Sequence, residues 1–135
     1  GQDAGKYGIT GKGTKDEPYI LSAREGRITI PLAIVREGIQ YYSYNGTKFF
    51  TLKDNEGVQM RISICEPCRG YSFHLQNNGR EVVCDACGTT WSASNFRGIS
   101  GGCIAYPPPY LASSASGDSI TAKTSDIERW SEWFK

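Results

Sequence analysis

Cys65-Glu66-Pro67-Cys68, then fifteen residues, then Cys84-Asp85-Ala86-Cys87-Gly88, is the stretch on which the reading of this chain turns. A four-coordinate thiolate site needs four sulfurs at the corners of a tetrahedron. Each C-x2-C turn aims two sulfurs at one centre, with backbone N–H groups around the turn facing the negative charge. Gly88 permits the tight backbone after the second pair, because glycine tolerates positive φ. Residues 71–75 and 81–84 read as two short strands joined by the turn Gln76-Asn77-Asn78-Gly79. That hairpin brings the two turns together. The spacing C-x2-C-x15-C-x2-C lies inside the window of zinc ribbons. Disulfides or two separate thiol pairs are the plainer alternatives, and the tetrahedral all-thiolate pattern outweighs them. One metal ion is therefore expected on Cys65, Cys68, Cys84 and Cys87. Zinc is the default, since thiolates in a tetrahedron suit it. Iron in the same cage, or an iron–sulfur cluster, is the alternative and would make an electron carrier.

Two further residues stand near this constellation. Cys103, in Ile99-Ser100-Gly101-Gly102-Cys103, is a fifth thiol. Free cysteine is often a small buried hydrophobe. The two preceding glycines permit close backbone approach, so an added ligand or a redox thiol is the functional reading. His74, the one histidine, lies between the knuckles. Alternation puts it on the face opposite Tyr71, Phe73 and Leu75, where an exposed strand residue is the plainer reading and a ligand role the sharper one. Glu66 and Asp85 read as solvated turn residues. No paired carboxylates, Ser–His–Asp set or phosphate-binding loop stands out, which leaves no assigned catalytic residue, favours a non-enzymatic role and identifies no small-molecule substrate.

Upstream of Cys65 the pattern is that of strands. Ile28, Ile30 and Leu32 alternate, with Pro31 on the other face, which predicts an edge strand. Asn45-Gly46 between the runs 39–44 and 47–52 is a strong hairpin signal. It fits that role better than a glycosylation acceptor. Asp54-Asn55-Glu56-Gly57 is a second turn, and Val58, Met60, Ile62 and Ile64 then alternate straight into Cys65. Downstream, residues 104–124 hold Pro107-Pro108-Pro109 and a Ser/Ala/Gly run, which predicts an extended surface segment. Residues 125–135 are predicted to form a short amphipathic helix. Ser125 and Glu128 have capping-box spacing, and Ile127, Trp130 and Phe134 recur at helical intervals beside Trp133. That aromatic face either closes the fold or docks a partner. Residues 1–18 lack periodicity and read as a flexible leader.

The fold class is thus mainly β: a small antiparallel sheet, a zinc-ribbon-like four-cysteine module at 65–97 within a domain spanning 19–103, and a short C-terminal helix. With 135 residues the chain is one domain with a modest core of its own. Fifteen basic and fourteen acidic residues lack the basic excess expected of a nucleic-acid partner. No apolar run reaches the ~18–20 residues that cross a bilayer.

The elements Ile28-Thr29-Ile30-Pro31-Leu32, the aromatic run 41–44, Cys65-Glu66-Pro67-Cys68, Gly70-Tyr71, Val83-Cys84-Asp85-Ala86-Cys87-Gly88 and Gly101-Gly102-Cys103 before prolines occur in an order that resembles the FtrD-like family of membrane-associated iron–sulfur proteins. The combination is specific although each piece alone is not. Ile104-Ala105-Tyr106 departs from the Asn-Pro that relatives carry there, and the aromatic tail lies outside the pattern. The resemblance implies an extracytoplasmic domain, in periplasm or at the cell surface, held at a membrane by an anchor in the full-length precursor. It implies a metal or redox role beside a protein partner in a membrane redox or metal-transport assembly, and it makes Cys103 part of the site.

Overall fold

The computed structural model describes residues 3–135; Gly1 and Gln2 lie outside the described residues. Its strands are β1 (Tyr19–Ile20), β2 (Arg27–Pro31), β3 (Gly38–Tyr44), β4 (Thr47–Asp54), β5 (Gly57–Ile62), β6 (Phe73–Gln76), β7 (Glu81–Cys84), β8 (Thr90–Ser92), β9 (Gly98–Ser100), β10 (Tyr110–Leu111), β11 (Ser114–Ser116) and β12 (Ser119–Lys123), followed by the helix α1 (Thr124–Glu128). They build three sheets, ordered β1-β3-β4-β5-β10, β11-β12-β2 and β6-β7-β8-β9. The chain is mainly β, as expected.

The β3–β4 hairpin organises the whole. Asn45 and Gly46 both take positive φ, 48° and 84°, which is the turn that suits the twist of paired strands. Tyr44 pairs with Thr47 and Gly38 with Lys53. Successive side chains leave opposite faces of a strand, so the aromatic pairs Tyr41-Tyr42 and Phe49-Phe50 divide between two cores. Tyr42 and Phe49, with centroids 5.4 Å apart, join Met60, Ile62, Ile28, Ile30, Ile120 and Ile127. Tyr41, Phe50 and Leu52 face the other way, onto Phe73, Val82, Trp91, Phe96 and three of the cysteines. The central sheet is therefore buried on both faces. That explains why β3 and β4 read as nearly continuous apolar runs instead of a clean alternation.

Three expectations are corrected. Residues 1–18 are not a flexible leader over the described part. Ala4 and Ile9 are buried in the first core, and the segment pairs with the sheet through Ile20 N–H to Thr10 O (2.9 Å) and Tyr41 N–H to Gly13 O (2.8 Å). The segment has no strand or helix period because it is held by irregular backbone bonds and a few apolar anchors. Residues 104–124 are not merely a surface segment either. β10 pairs with β5, and β12 pairs with β2 through Ile120↔Ile30 and Ala122↔Ile28. The inward alternation rests on a single large residue, Ile120, beside an alanine, and so gives a faint signal. β2 does lie at a sheet edge with Pro31 as its last residue.

The third correction concerns the tail. The helix starts at Thr124 and stops at Glu128, and Ser131–Phe134 form a separate 3-10 turn. No side-chain cap bond forms; Thr124 Oγ1 donates instead to Gly26 O at 3.1 Å. Ile127 is fully buried, and Trp130, Trp133 and Phe134 pack against the same core. Arg69 lies over the Trp133 ring at 4.7 Å. Of the four residues expected as partner-docking candidates, Ile127 has no surface to offer a partner, while Trp130, Trp133 and Phe134 pack partly onto the core and remain half-buried.

Candidate metal centre

β5 delivers the chain through Ser63 and Ile64 to the first knuckle. Cys65 N–H donates to Gly70 O (2.7 Å) and Arg69 N–H to Cys65 O (2.7 Å), closing a tight loop around Cys68. Ser63 Oγ ties this loop to Tyr71 O at 2.8 Å. The second knuckle leaves β7: Gly88 N–H donates to Cys84 O and Cys84 N–H to Thr89 O, both at 2.9 Å. The β6–β7 hairpin sets Phe73 opposite Cys84 and joins the knuckles as expected. Tyr41 locks the hairpin to the central sheet. Its hydroxyl accepts Phe73 N–H and donates to Phe73 O, each at 2.9 Å. Burial pushes that phenol up to about 12, so it keeps its donating proton.

The two knuckles and a third loop bring all five thiols together. Sulfur–sulfur separations are 3.9 Å for Cys65–Cys87, 3.7 Å for Cys68–Cys84 and 3.8 Å for Cys87–Cys103. Cys65, Cys68, Cys87 and Cys103 all lie within 4.8 Å of one another. The sequence placed Cys84 in the central four and Cys103 beside it; the geometry draws Cys103 in as closely as any of the others. Two contacts hold Cys103 there. Its N–H donates to Thr89 Oγ1 at 3.1 Å, and Gly101 (φ 110°) lies against Thr89. A Cβ on Gly101 would come within 2.7 Å of Thr89 Cα, so only glycine lets this loop reach the second knuckle. Thr89 was missed in the sequence. A fully buried hydroxyl two residues after Cys87 is its signature, and burial is a tertiary fact.

His74 is not brought to the thiols. Its Nδ1 sits 2.5 Å from Asp85 Oδ1 on the outer face of the hairpin. Pairing of Phe73 with Cys84 turns position 73 inward and position 74 outward.

The donor set fits a thiophilic metal. A tetrahedron with metal–sulfur bonds near 2.3 Å has edges of about 3.8 Å, which matches the three measured separations. Gly70 completes a cradle that a side chain would fill. A Cβ there would stand 3.0 Å from Cys84 Sγ and 3.2 Å from Cys68 Sγ, and Gly70 N–H already points to Cys68 Sγ at 3.3 Å. The thiols differ in proton affinity. Burial raises Cys65, and burial raises Cys84 to about 11. At Cys87 burial also raises, but hydrogen bonds from the Thr89 hydroxyl and N–H and from neighbouring thiols outweigh it and bring the group down to about 6. In the metal-free reduced chain at pH 7, Cys87 is then mostly thiolate, whereas an ordinary thiol is ionised to only a few per cent. Iodoacetamide should label Cys87 first, with a rate that rises with pH and is half-maximal at about pH 6. Peptide mapping of timed samples checks this, and prior labelling of Cys65 or Cys84 would refute it.

A β protein with an all-thiolate metal centre between two sheet-bound knuckles is the class that fold and site define. The chain belongs to the FtrD-like family, whose description is membrane iron-sulfur containing protein FtrD-like and whose model matches residues 33–134. None of the curated proteins matches it. Among solved structures it is similar to the ferredoxin of carbazole 1,9a-dioxygenase from Nocardioides aromaticivorans IC177. The TM-score is 0.57 and the identity 13%, over 70% of this chain and 93% of that one. At this identity the likeness is one of fold. Family and thiol cluster together make this a metal- or iron–sulfur-binding domain. Among the described residues, no helix is long and apolar enough to cross a membrane.

Proposed function

We propose that this chain is an electron-carrying iron domain, working on the extracytoplasmic side as a subunit of, or partner to, a membrane redox or metal-transport assembly. One observation carries the reading. The thiol cluster is buried on one side and open on the other: Cys65 and Cys84 are sealed against the aromatic core, while Cys87 is exposed and Cys68 half-exposed. Such placement suits a centre that exchanges electrons with a docked protein. The loop carrying Cys103 also presents Ile99, Ile104 and Tyr106, each 43–51% exposed, as apolar surface beside that open edge. Membrane association rests on the family description.

Thiolate-bound iron supplies a one-electron couple whose potential follows burial and hydrogen bonds to sulfur. The chain's own residues set those factors. Gly70 N–H and the Thr89 hydroxyl face the sulfurs, and Phe73, Trp91 and Phe96 close off water from the inner side. A second reading, a structural zinc ion, is favoured by the single-tetrahedron spacing of the sulfurs.

Anaerobic purification with elemental analysis and a visible spectrum tests the proposal. Iron should be present, with thiolate-to-iron absorption that changes on dithionite reduction. A colourless protein with one zinc per chain would sink the electron-transfer reading and leave the zinc one.

A further inference from the structure

Five thiols surround a place where a tetrahedral ion uses four. Cys65, Cys68, Cys87 and Cys103 lie within 4.8 Å of one another. Cys84 stands outside that mutual set yet only 3.7 Å from Cys68, and Cys103 stands 3.8 Å from Cys87. Each of the two therefore adjoins a sulfur common to both tetrads. Both are built into the structure. Cys84 ends β7, with its sulfur packed against Gly70. Cys103 is bonded to Thr89 through its backbone and is 8% exposed. Neither is a stray surface thiol.

We infer that Cys84 and Cys103 are alternative fourth ligands to one metal ion, with Cys65, Cys68 and Cys87 shared by both sets. This deepens the metal-centre reading and rests on it, but not on iron being the ion. The exchange is a proton-balanced substitution without redox change. The incoming thiol forms its metal–sulfur bond and gives up its proton. The departing thiolate breaks its bond and takes one up. The ion has four thiolates before and after, so the two end states share the same charge and geometry while one ligand is renewed. A centre of this kind admits an attacking ligand or a metal-accepting partner without collapsing to three thiolates.

The probe is Co2+ added anaerobically to the full reduced chain, read by thiolate-to-cobalt absorption and by stoichiometry. Cys84→Ser and Cys103→Ser should each bind one Co2+ with the band intensity of the unaltered chain. The double variant should lose roughly a quarter of that intensity, the share of one thiolate in four. If only one single variant loses intensity, its cysteine is a fixed ligand and the inference fails. If both lose it, all five thiols are ligands at once and it fails equally. A mapping experiment on the unaltered chain is independent of variant folding. In the Co2+-loaded protein, a limited dose of alkylating agent should add one group per chain, divided between Cys84 and Cys103 and never on both. Adducts confined to one of them would overturn the inference. No Co2+ uptake by the unaltered chain would overturn the one-ion site itself, whereas a zinc-only native protein would sink the iron reading and leave this one standing.

Discussion

Cys65→Ser should leave a folded protein that holds almost no metal. Cys65 is fully buried where the chain leaves β5, and it belongs to either tetrad. Its sulfur lies 3.9 Å from Cys87 Sγ, so it forms one edge of any tetrahedron at this centre. Serine puts a harder, less ionisable oxygen at that corner, on a shorter bond that cannot span the same edge. Without Cys65 only Cys68, Cys87 and Cys103 remain of the mutually close set, and Cys84, which stands outside that set beside Cys68, does not reach the vacated corner. Metal content should fall to below about a tenth of that of the unaltered chain. The buried hydroxyl, if unpaired, costs about 1–3 kcal/mol. Cys65 is a small member of a core whose bulk comes from Tyr41, Phe50, Phe73, Trp91 and Phe96, so far-UV circular dichroism should be unchanged. Full loading of the Cys65→Ser protein would show that the tetrads are wrongly drawn.

The second large effect is on stability. Trp91 is the largest fully buried side chain and meets Phe73 edge-on at 6.3 Å. Its Nε1–H donates to Ile104 O at 3.2 Å, tying the core beneath the knuckles to the loop next to Cys103. Trp91→Ala removes the ring from a core that also contains Phe50, Phe73, Phe96 and the inner thiols. A large aromatic-to-alanine change at such a site costs about 3–5 kcal/mol. For a domain of this size that is a fall of roughly 10–20 °C in Tm. The lost bond also releases the Ile104 carbonyl, so Cys103 should be alkylated faster in the variant even at temperatures where it stays folded. Calorimetry and timed labelling read the two effects separately. A loss below about 1 kcal/mol would mean that Trp91 is not the keystone of this core.

Much of the site was legible in the sequence because its rules are local. Two C-x2-C turns carry their own geometry, and the hairpin between them follows from Asn77-Asn78-Gly79 and the flanking strand residues. All three turn residues take positive φ. The Asn45-Gly46 hairpin and the alternation from Val58 into Ile64 were equally plain. Trp130, Trp133 and Phe134 show the limit of the same rules. Their spacing gives an apolar face, but spacing cannot say whether that face meets a partner or the chain's own core.

The four paired cysteines, first met as a spacing, were determined by the sequence itself, together with the mainly β class and the central hairpin. Only the tertiary structure decided that the pairs share one centre with Cys103. That thiol arrives by a non-local contact, its backbone bonded to the buried hydroxyl of Thr89 over a loop that glycine alone can seat. The double burial of β3 and β4 was settled at the same level, by sheets that pack on both faces. So was the seating of residues 3–18, by backbone bonds to strands distant in the chain. Periodicity and turn chemistry act over a few residues and leave a mark in the sequence. Packing between distant segments leaves none until the faces meet.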